Sequence, residues 1–227
     1  MEYNSEIQQG SLDWLRERLG KFTGSKIADL MGKGKGKEPF SQTALKYIYQ
    51  VVAERNLDTE KVDDDIEFQQ YLYYNNPSSR YMEWGHKQEA NARALYEICT
   101  GNSVTEVDSI QHPTITTFAA SPDGYIVGDE SRGVLEIKCP APATYVQYTQ
   151  ITDGDSLKAI NPTYYYQVMS EMAVMGAEWC DFVVYCPWLE DKVNLHIAHI
   201  ERNEADIKAI EERIIEAEEY INSNLKL

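Results

Sequence analysis

The sequence predicts a single α/β domain with a mixed central β-sheet flanked by helices. Three observations carry that reading. The apolar spacing is helical before Gly101 and strand-like after it, a helix, two strands and a last helix close the chain, and neither a repeat nor a long linker divides the 227 residues.

Ser11 reads as the cap of a short helix over residues 12–19 that stops at Gly20. Thr23 or Ser25 starts a second, with Ile27, Leu30 and Met31 on one face. The alternation Gly32-Lys33-Gly34-Lys35-Gly36-Lys37 pairs the most flexible residue with a long cation and predicts a mobile basic loop, either a DNA contact or a solubilising linker. Ser41 caps a helix to about Arg55 with Leu45, Ile48 and Val52 as its buried stripe, and a longer helix covers residues 79–99, closed by Gly101. Residues 104–107, 115–120, 125–127 and 134–137 then read as short strands between Gly, Pro and Asp turns. Asn161 with Pro162 opens a Tyr- and Met-rich helix that Gly176 ends. Strands over 181–186 and 193–200 lead to a C-terminal helix capped by Asn203.

The chain holds 21 basic and 37 acidic residues, a net charge of −16, which by itself argues against a polyanion as partner. The charge is uneven, however. Residues 16–46 carry eight bases against three acids, whereas residues 201–227 carry eight acids against four bases, a solvated helix face, and Asp63-Asp64-Asp65 with Glu67 form a further acidic cluster. No apolar run approaches the ~20 residues of a membrane span, and Met1-Glu2-Tyr3-Asn4 has no signal-peptide character, so the expectation is a cytoplasmic protein. Cys99, Cys139, Cys180 and Cys186 show no metal-binding spacing and read as buried reduced thiols.

Chemistry concentrates at Ser121-Pro122-Asp123-Gly124 and Leu135-Glu136-Ile137-Lys138-Cys139-Pro140. In a strand, Glu136 and Lys138 project from one face and the apolar Leu135 and Ile137 from the other, while a turn delivers Asp123 beside them. Two hard carboxylates suit Mg²⁺, and a lysine beside it orients or deprotonates a water and stabilises transition-state charge. The expected reaction is metal-assisted phosphodiester hydrolysis. Taken alone, the Glu-x-Lys spacing is far better explained by a solvated surface pair, with Asp123 only a turn residue.

The arrangement resembles the PD-(D/E)xK nuclease motif, and its wording resembles the lambda-type alkaline exonuclease family. The match runs over residues 9–200: Gln9-Gly10, Trp14, Arg18-Leu19-Gly20 and Thr23-Gly24-Ser25, then Trp84-Gly85 through Glu89 to Arg93, then Tyr166-Gln167-Val168. The resemblance implies one exonuclease domain over 1–227, with N-terminal helices 11–57 bearing the basic loop 32–38, a catalytic core at about 79–200 and a C-terminal helix at about 203–224.

It further implies a Mg²⁺-dependent exonuclease that degrades one strand of duplex DNA 5′-to-3′ from its ends and leaves a 3′ overhang for a single-strand annealing protein. Mn²⁺ would substitute, with two ions per active site. Asp123, Glu136 and the main-chain carbonyl of Ile137 would hold metal, Lys138 would serve the attacking water, and Glu89 would hold water on the metal. Arg18, with Ser25, Ser121 and Gln167, would bind the terminal 5′-phosphate, with Trp14 fixing Arg18. A homotrimeric ring would turn its positive face toward the DNA; a DNA contact by Lys33, Lys35 and Lys37 follows from composition alone. Two alternatives stay open: an endonuclease of the same superfamily, and a non-catalytic acidic DNA mimic. His196 and His199, three apart in a strand, fall on opposite faces; His86 and His112 lack a partner at useful spacing; and Tyr71, Tyr73 and Tyr74 are expected to pack on the sheet.

Overall fold

The structure, a computed structural model, describes residue 7 and residues 9–75, 80–127 and 131–225. Ser11 accepts from the Trp14 amide and opens α1 (Leu12–Arg18) as expected. A two-residue strand, β1 (Phe22–Thr23), and one 3-10 turn then precede α2 (Ile27–Leu30). The second helix therefore starts later than the sequence suggested, because Phe22 and Thr23 are drawn into parallel pairing with Phe118 and Ala119. The Gly/Lys stretch is a tied loop: Lys33 pairs with Phe40, and the Arg213 guanidinium donates to the carbonyls of Leu30, Gly32 and Pro39.

Ser41 caps α3 (Gln42–Arg55), which buries Ala44, Tyr47, Ile48, Val51 and Val52 and leaves Leu45 at the border of the core. Two helices follow that the sequence did not announce, α4 (Thr59–Asp63) and α5 (Asp65–Asn75). α5 buries only Phe68, on which Tyr71 stacks. Tyr73 and Tyr74 are 86% and 87% exposed, so the tyrosines do not pack on the sheet. α6 (Arg80–Thr100) ends at Gly101, whose φ of 76° is one that glycine takes without strain; Ser79, its expected start, lies outside the described residues.

Strands β2 (Val104–Thr105), β3 (Ile110–Gln111), β4 (Phe118–Ala120), β5 (Gly124–Val127) and β6 (Arg132–Lys138) come next. Three helices, α7 (Pro142–Tyr148), α8 (Gly154–Ile160) and α9 (Pro162–Met175), cross over to β7 (Trp179–Tyr185) and β8 (Leu195–Glu201), and α10 (Glu204–Asn224) completes the chain. The main sheet runs β2-β5-β6-β7-β8, with β6 and β7 parallel and the other pairs antiparallel, so it is mixed, as predicted. A second, three-stranded sheet, β1-β4-β3, was not anticipated; Pro122, with no amide hydrogen, stands between β4 and β5 where one continuous ladder would have run.

Helix α9 lies in the larger core, and every residue from Val168 to Met175 is buried. A smaller core joins the other face of the main sheet to α6 through Ala92, Tyr96, Leu135, Ile137 and Val183. β6 is thus covered on both faces, and the alternation read from its sequence is sorted between them. Leu135 and Ile137 pack toward α6, while Glu136 meets Gln167 of α9. Gly133 is needed in β6 because a side-chain carbon there would lie 2.3 Å from the Trp179 ring.

Candidate active site

Antiparallel pairing of Gly124 with Leu135 sets Asp123, one residue before β5, beside Glu136. Asp123 Oδ2 accepts from the Ile137 amide at 2.7 Å, so Asp123 extends the ladder with its side chain and is itself buried. Burial, reinforced by the Glu136 charge, holds the Asp123 carboxyl well above the usual carboxylate range. Glu136 is 1% exposed, which excludes a solvated surface pair with Lys138. Its Oε1 accepts from Lys138 Nζ and, at 2.6 Å, from Gln167 Nε2. Its Oε2 is buried with no hydrogen-bond partner.

A cavity of about 370 Å³ opens on this pair. Asp123, Glu136, Ile137 and Lys138 line it together with Glu89, Arg18, Trp14, Ser25, Ser121 and Gln167. Residues from four separated stretches of the chain are thereby brought to one place. Glu89 reaches it from α6, on the helix face that Gly85 leaves clear. Burial opposes the charge on Lys138, but Glu136, Asp123 and Tyr164 together outweigh it, so its pKa lies above the ordinary lysine value and the ammonium is retained.

Arg18 is held by its neighbours as a fork. One terminal nitrogen donates to Ser121 Oγ at 2.7 Å, the other to Ser25 Oγ at 3.3 Å, and the guanidinium lies 4.2 Å over the Trp14 ring. Burial lowers its pKa to about 10. Among the described residues no carboxylate pairs with it; Asp13 pairs instead with Arg16. A half-buried guanidinium with two hydroxyls for company suits a bidentate oxyanion.

Three cavity residues were missed or set aside from sequence. Glu171, 1% exposed, accepts from Gln167 Nε2 at 2.9 Å, and its Oε2 has no partner. Burial, with the Glu136 charge next, raises its pKa well above the usual range. The signal was present as Gln167 and Glu171 at i,i+4, but it lay inside a Tyr/Met run that reads as core. His86 faces Glu89 Oε1 at 3.3 Å, a partner that i,i+3 spacing on one helix provides. Cys139 is half-buried here and Cys99 is exposed, so only Cys180 and Cys186 are the buried thiols expected. Burial pushes the Cys139 thiol up to about 12, which leaves it a poor nucleophile.

One expectation changes. Both amide hydrogens of Gln167 face carboxylates, leaving only a carbonyl oxygen, which offers a phosphate no donor. Lys33, Lys35 and Lys37 do not line this cavity; Lys33 borders a separate cleft beside Glu212, Glu216 and Glu219 of α10. His112 bonds Glu211, and His196 and His199 go to different partners, Ile151 O and Asp181, as the strand spacing required.

Among the described residues no group of three His, Cys, Asp or Glu side chains is arranged to hold a metal. A cation here would take Asp123, Glu136 and the Ile137 carbonyl, with water completing its shell. The buried, unpartnered Glu136 Oε2 fits that use. No helix of the described residues is long and apolar enough to cross a membrane.

Comparison with known proteins finds a family and a fold for this chain. The sequence pattern of the YqaJ-like viral recombinase domain matches residues 13–178. An alkaline exonuclease from Laribacter hongkongensis, LHK-Exo, is similar at 32% identity over 93% of this chain and 95% of its own, with a TM-score of 0.69. The same enzyme in complex with dAMP gives a TM-score of 0.70 at 32% identity over the same shares. A phage related exonuclease from Haemophilus somnus 129PT, at 15% identity over 88% of this chain and 92% of its own with a TM-score of 0.65, shares the fold. No curated protein sequence matches.

Proposed function

The chain belongs to the YqaJ-like viral recombinase domain family, and from that premise we propose that it is a Mg²⁺-dependent exonuclease that digests one strand of double-stranded DNA from its ends. The observation that supports this reading best is that one cavity holds both the buried carboxylate pair with Lys138 and the Arg18 fork.

Asp123 and Glu136, with the Ile137 carbonyl, would hold Mg²⁺, with Mn²⁺ as a substitute and two ions as the number the resemblance implies. When bound, the metal would withdraw charge from the phosphate under attack and make water more acidic. Lys138, paired with Glu136, orients or deprotonates water and stabilises negative charge. Glu89, half-buried at the cavity wall, would hold water on the metal. Gln167 holds Glu136 in place. Arg18, Ser25 and Ser121 receive the terminal 5′-phosphate, and an anchor for that end gives digestion 5′-to-3′ with a 3′ overhang, the substrate of a single-strand annealing protein. A homotrimeric ring in the cytoplasm of a bacterial host is the assembly in which a chain of net charge −16 best holds DNA, its negative excess turned outward.

Linear and covalently closed duplex separate the readings. Loss of the linear form alone, and only with Mg²⁺, supports an end-directed exonuclease. Cutting of the closed form would make it an endonuclease, and no metal-dependent cutting of either would leave a DNA mimic.

A further inference from the structure

Trp188 lies in the turn after β7, where the Leu189 amide donates to the Cys186 carbonyl at 3.1 Å and so fixes the turn to a buried residue. Its ring is stacked on Trp84, with centroids 5.4 Å apart and planes 13° from parallel. Trp188 is nevertheless 69% exposed. One indole face is therefore spent on Trp84, and much of the rest is open to solvent. Trp84 is half-buried on α6 and immediately precedes Gly85, which with His86 and Glu89 forms one wall of the catalytic cavity. The pair is thus joined to that wall through α6, one residue from Gly85.

We propose that Trp188, backed by Trp84, is a stacking platform for an unpaired base of the DNA strand beside the scissile nucleotide. The inference rests on the exonuclease reading and adds to it a contact with a base, where the cavity itself offers contacts to phosphate. Every nucleobase has a π-face, so such a platform is indifferent to sequence, as processive digestion requires. An indole already stacked on a second ring gives up little conformational freedom when a base arrives. A base inside a duplex is covered on both faces by its neighbours, whereas the end of a strand under digestion offers one with a face free at each step. That makes the platform selective for ends and frayed nucleotides over duplex interior.

The test is a binding titration on Lys138→Ala protein with Mg²⁺, so that the DNA is not cut, using 5′-phosphorylated duplexes with a single abasic site placed in turn at each of the first few nucleotides. At one position the abasic site is expected to weaken binding about five-fold or more. The same abasic site should cost nothing further once Trp188→Ala is added, and Trp188→Phe should restore part of the difference. Equal abasic losses with and without Trp188 at every position would overturn the proposal. So would light scattering in which Trp188→Ala lowers the mass of the particle, since the ring would then be covered by a second copy of the chain. If the parent protein binds no duplex end, the exonuclease reading falls first and the platform with it; good end binding without abasic coupling removes the platform alone.

Discussion

Gln167 Nε2 lies 2.6 Å from Glu136 Oε1 and 2.9 Å from Glu171 Oε1, so a single side-chain amide bridges two buried carboxylates. Glu136 belongs to β6 and Gln167 to α9, and the bridge fixes the middle strand of the main sheet to that helix. Gln167→Leu should weaken Mg²⁺ binding measured by calorimetry and lower stability in urea by about 2 kcal/mol or more, because two buried carboxyl groups lose their donor. The variant should keep any preference for 5′-phosphorylated ends, since its donors do not face the phosphate.

Arg18→Ala should do the opposite, and comparing digestion of 5′-phosphate and 5′-hydroxyl ends shows it. The preference for phosphate should vanish, with a loss of about 10-fold or more on phosphorylated ends. Arg18→Lys should not restore it, because one ammonium cannot reproduce a fork already aligned by Ser25, Ser121 and Trp14. Persistence of the preference in Arg18→Ala would place the anchor elsewhere.

The buried carboxyls predict how stability depends on pH. Asp123 and Glu171 are held well above the usual range, chiefly by burial, so the folded chain binds protons that the unfolded chain has released. Stability without divalent metal is therefore full below the unfolded carboxylate pKa of about 4 and falls as pH rises toward the folded values. Thermal melts at pH 5 to 8 in chelator should show that decline, and Asp123→Asn or Glu171→Gln should flatten it. Mg²⁺ should raise the melting temperature most at the upper end of the range. A stability that climbs with pH would contradict the assignment.

Replacing Lys33, Lys35 and Lys37 with Gln should leave the salt dependence of end binding nearly unchanged. The loop is tied through Gly32 to Arg213, and Lys33 borders a cleft with three α10 carboxylates in its wall, which oppose the approach of a polyanion. A flatter dependence of binding on salt would show that the loop reaches DNA phosphates.

Much of the fold was legible where one residue carries a complete signal. Ser11, Ser41, Asn161 with Pro162, and Asn203 each cap the helix that follows, and Gly176, at φ 62°, ends α9. The hidden elements are those without such a signal. β1 and β3 are two residues long, too short for a period, and exist only through their pairing with β4. α5 buries one side chain, and α7 begins in the run Cys139-Pro140-Ala141-Pro142, which reads as loop. α8 did carry a cap, Asp153 with Ser156, but Gly154 between them suggests a turn.

The site divides in the same way. Asp123, Glu136 and Lys138 are close in sequence and alternate on one strand, so the chemistry was readable before the fold. Glu171 was not, because a carboxylate among Tyr166, Met169 and Met172 becomes notable only once α9 is seen to cross Glu136. The tie on the Gly/Lys loop was not legible, because composition describes its freedom while the Arg213 side chain that holds Gly32 lies 181 residues away in sequence.

The central claim is that Asp123, Glu136 and Lys138 form a metal-dependent hydrolytic centre. Single-turnover digestion of an end-labelled linear duplex by the wild type, Asp123→Ala and Lys138→Ala, in Mg²⁺ and in Ca²⁺, tests it most directly. Both variants should bind the duplex while cutting it slower by a factor on the order of 10² to 10⁴. Ca²⁺ should support binding without turnover, because its longer, looser coordination does not align water and phosphate. Retention of more than about a tenth of the wild-type rate by Asp123→Ala, or a Lys138→Ala loss confined to DNA binding, would contradict the account.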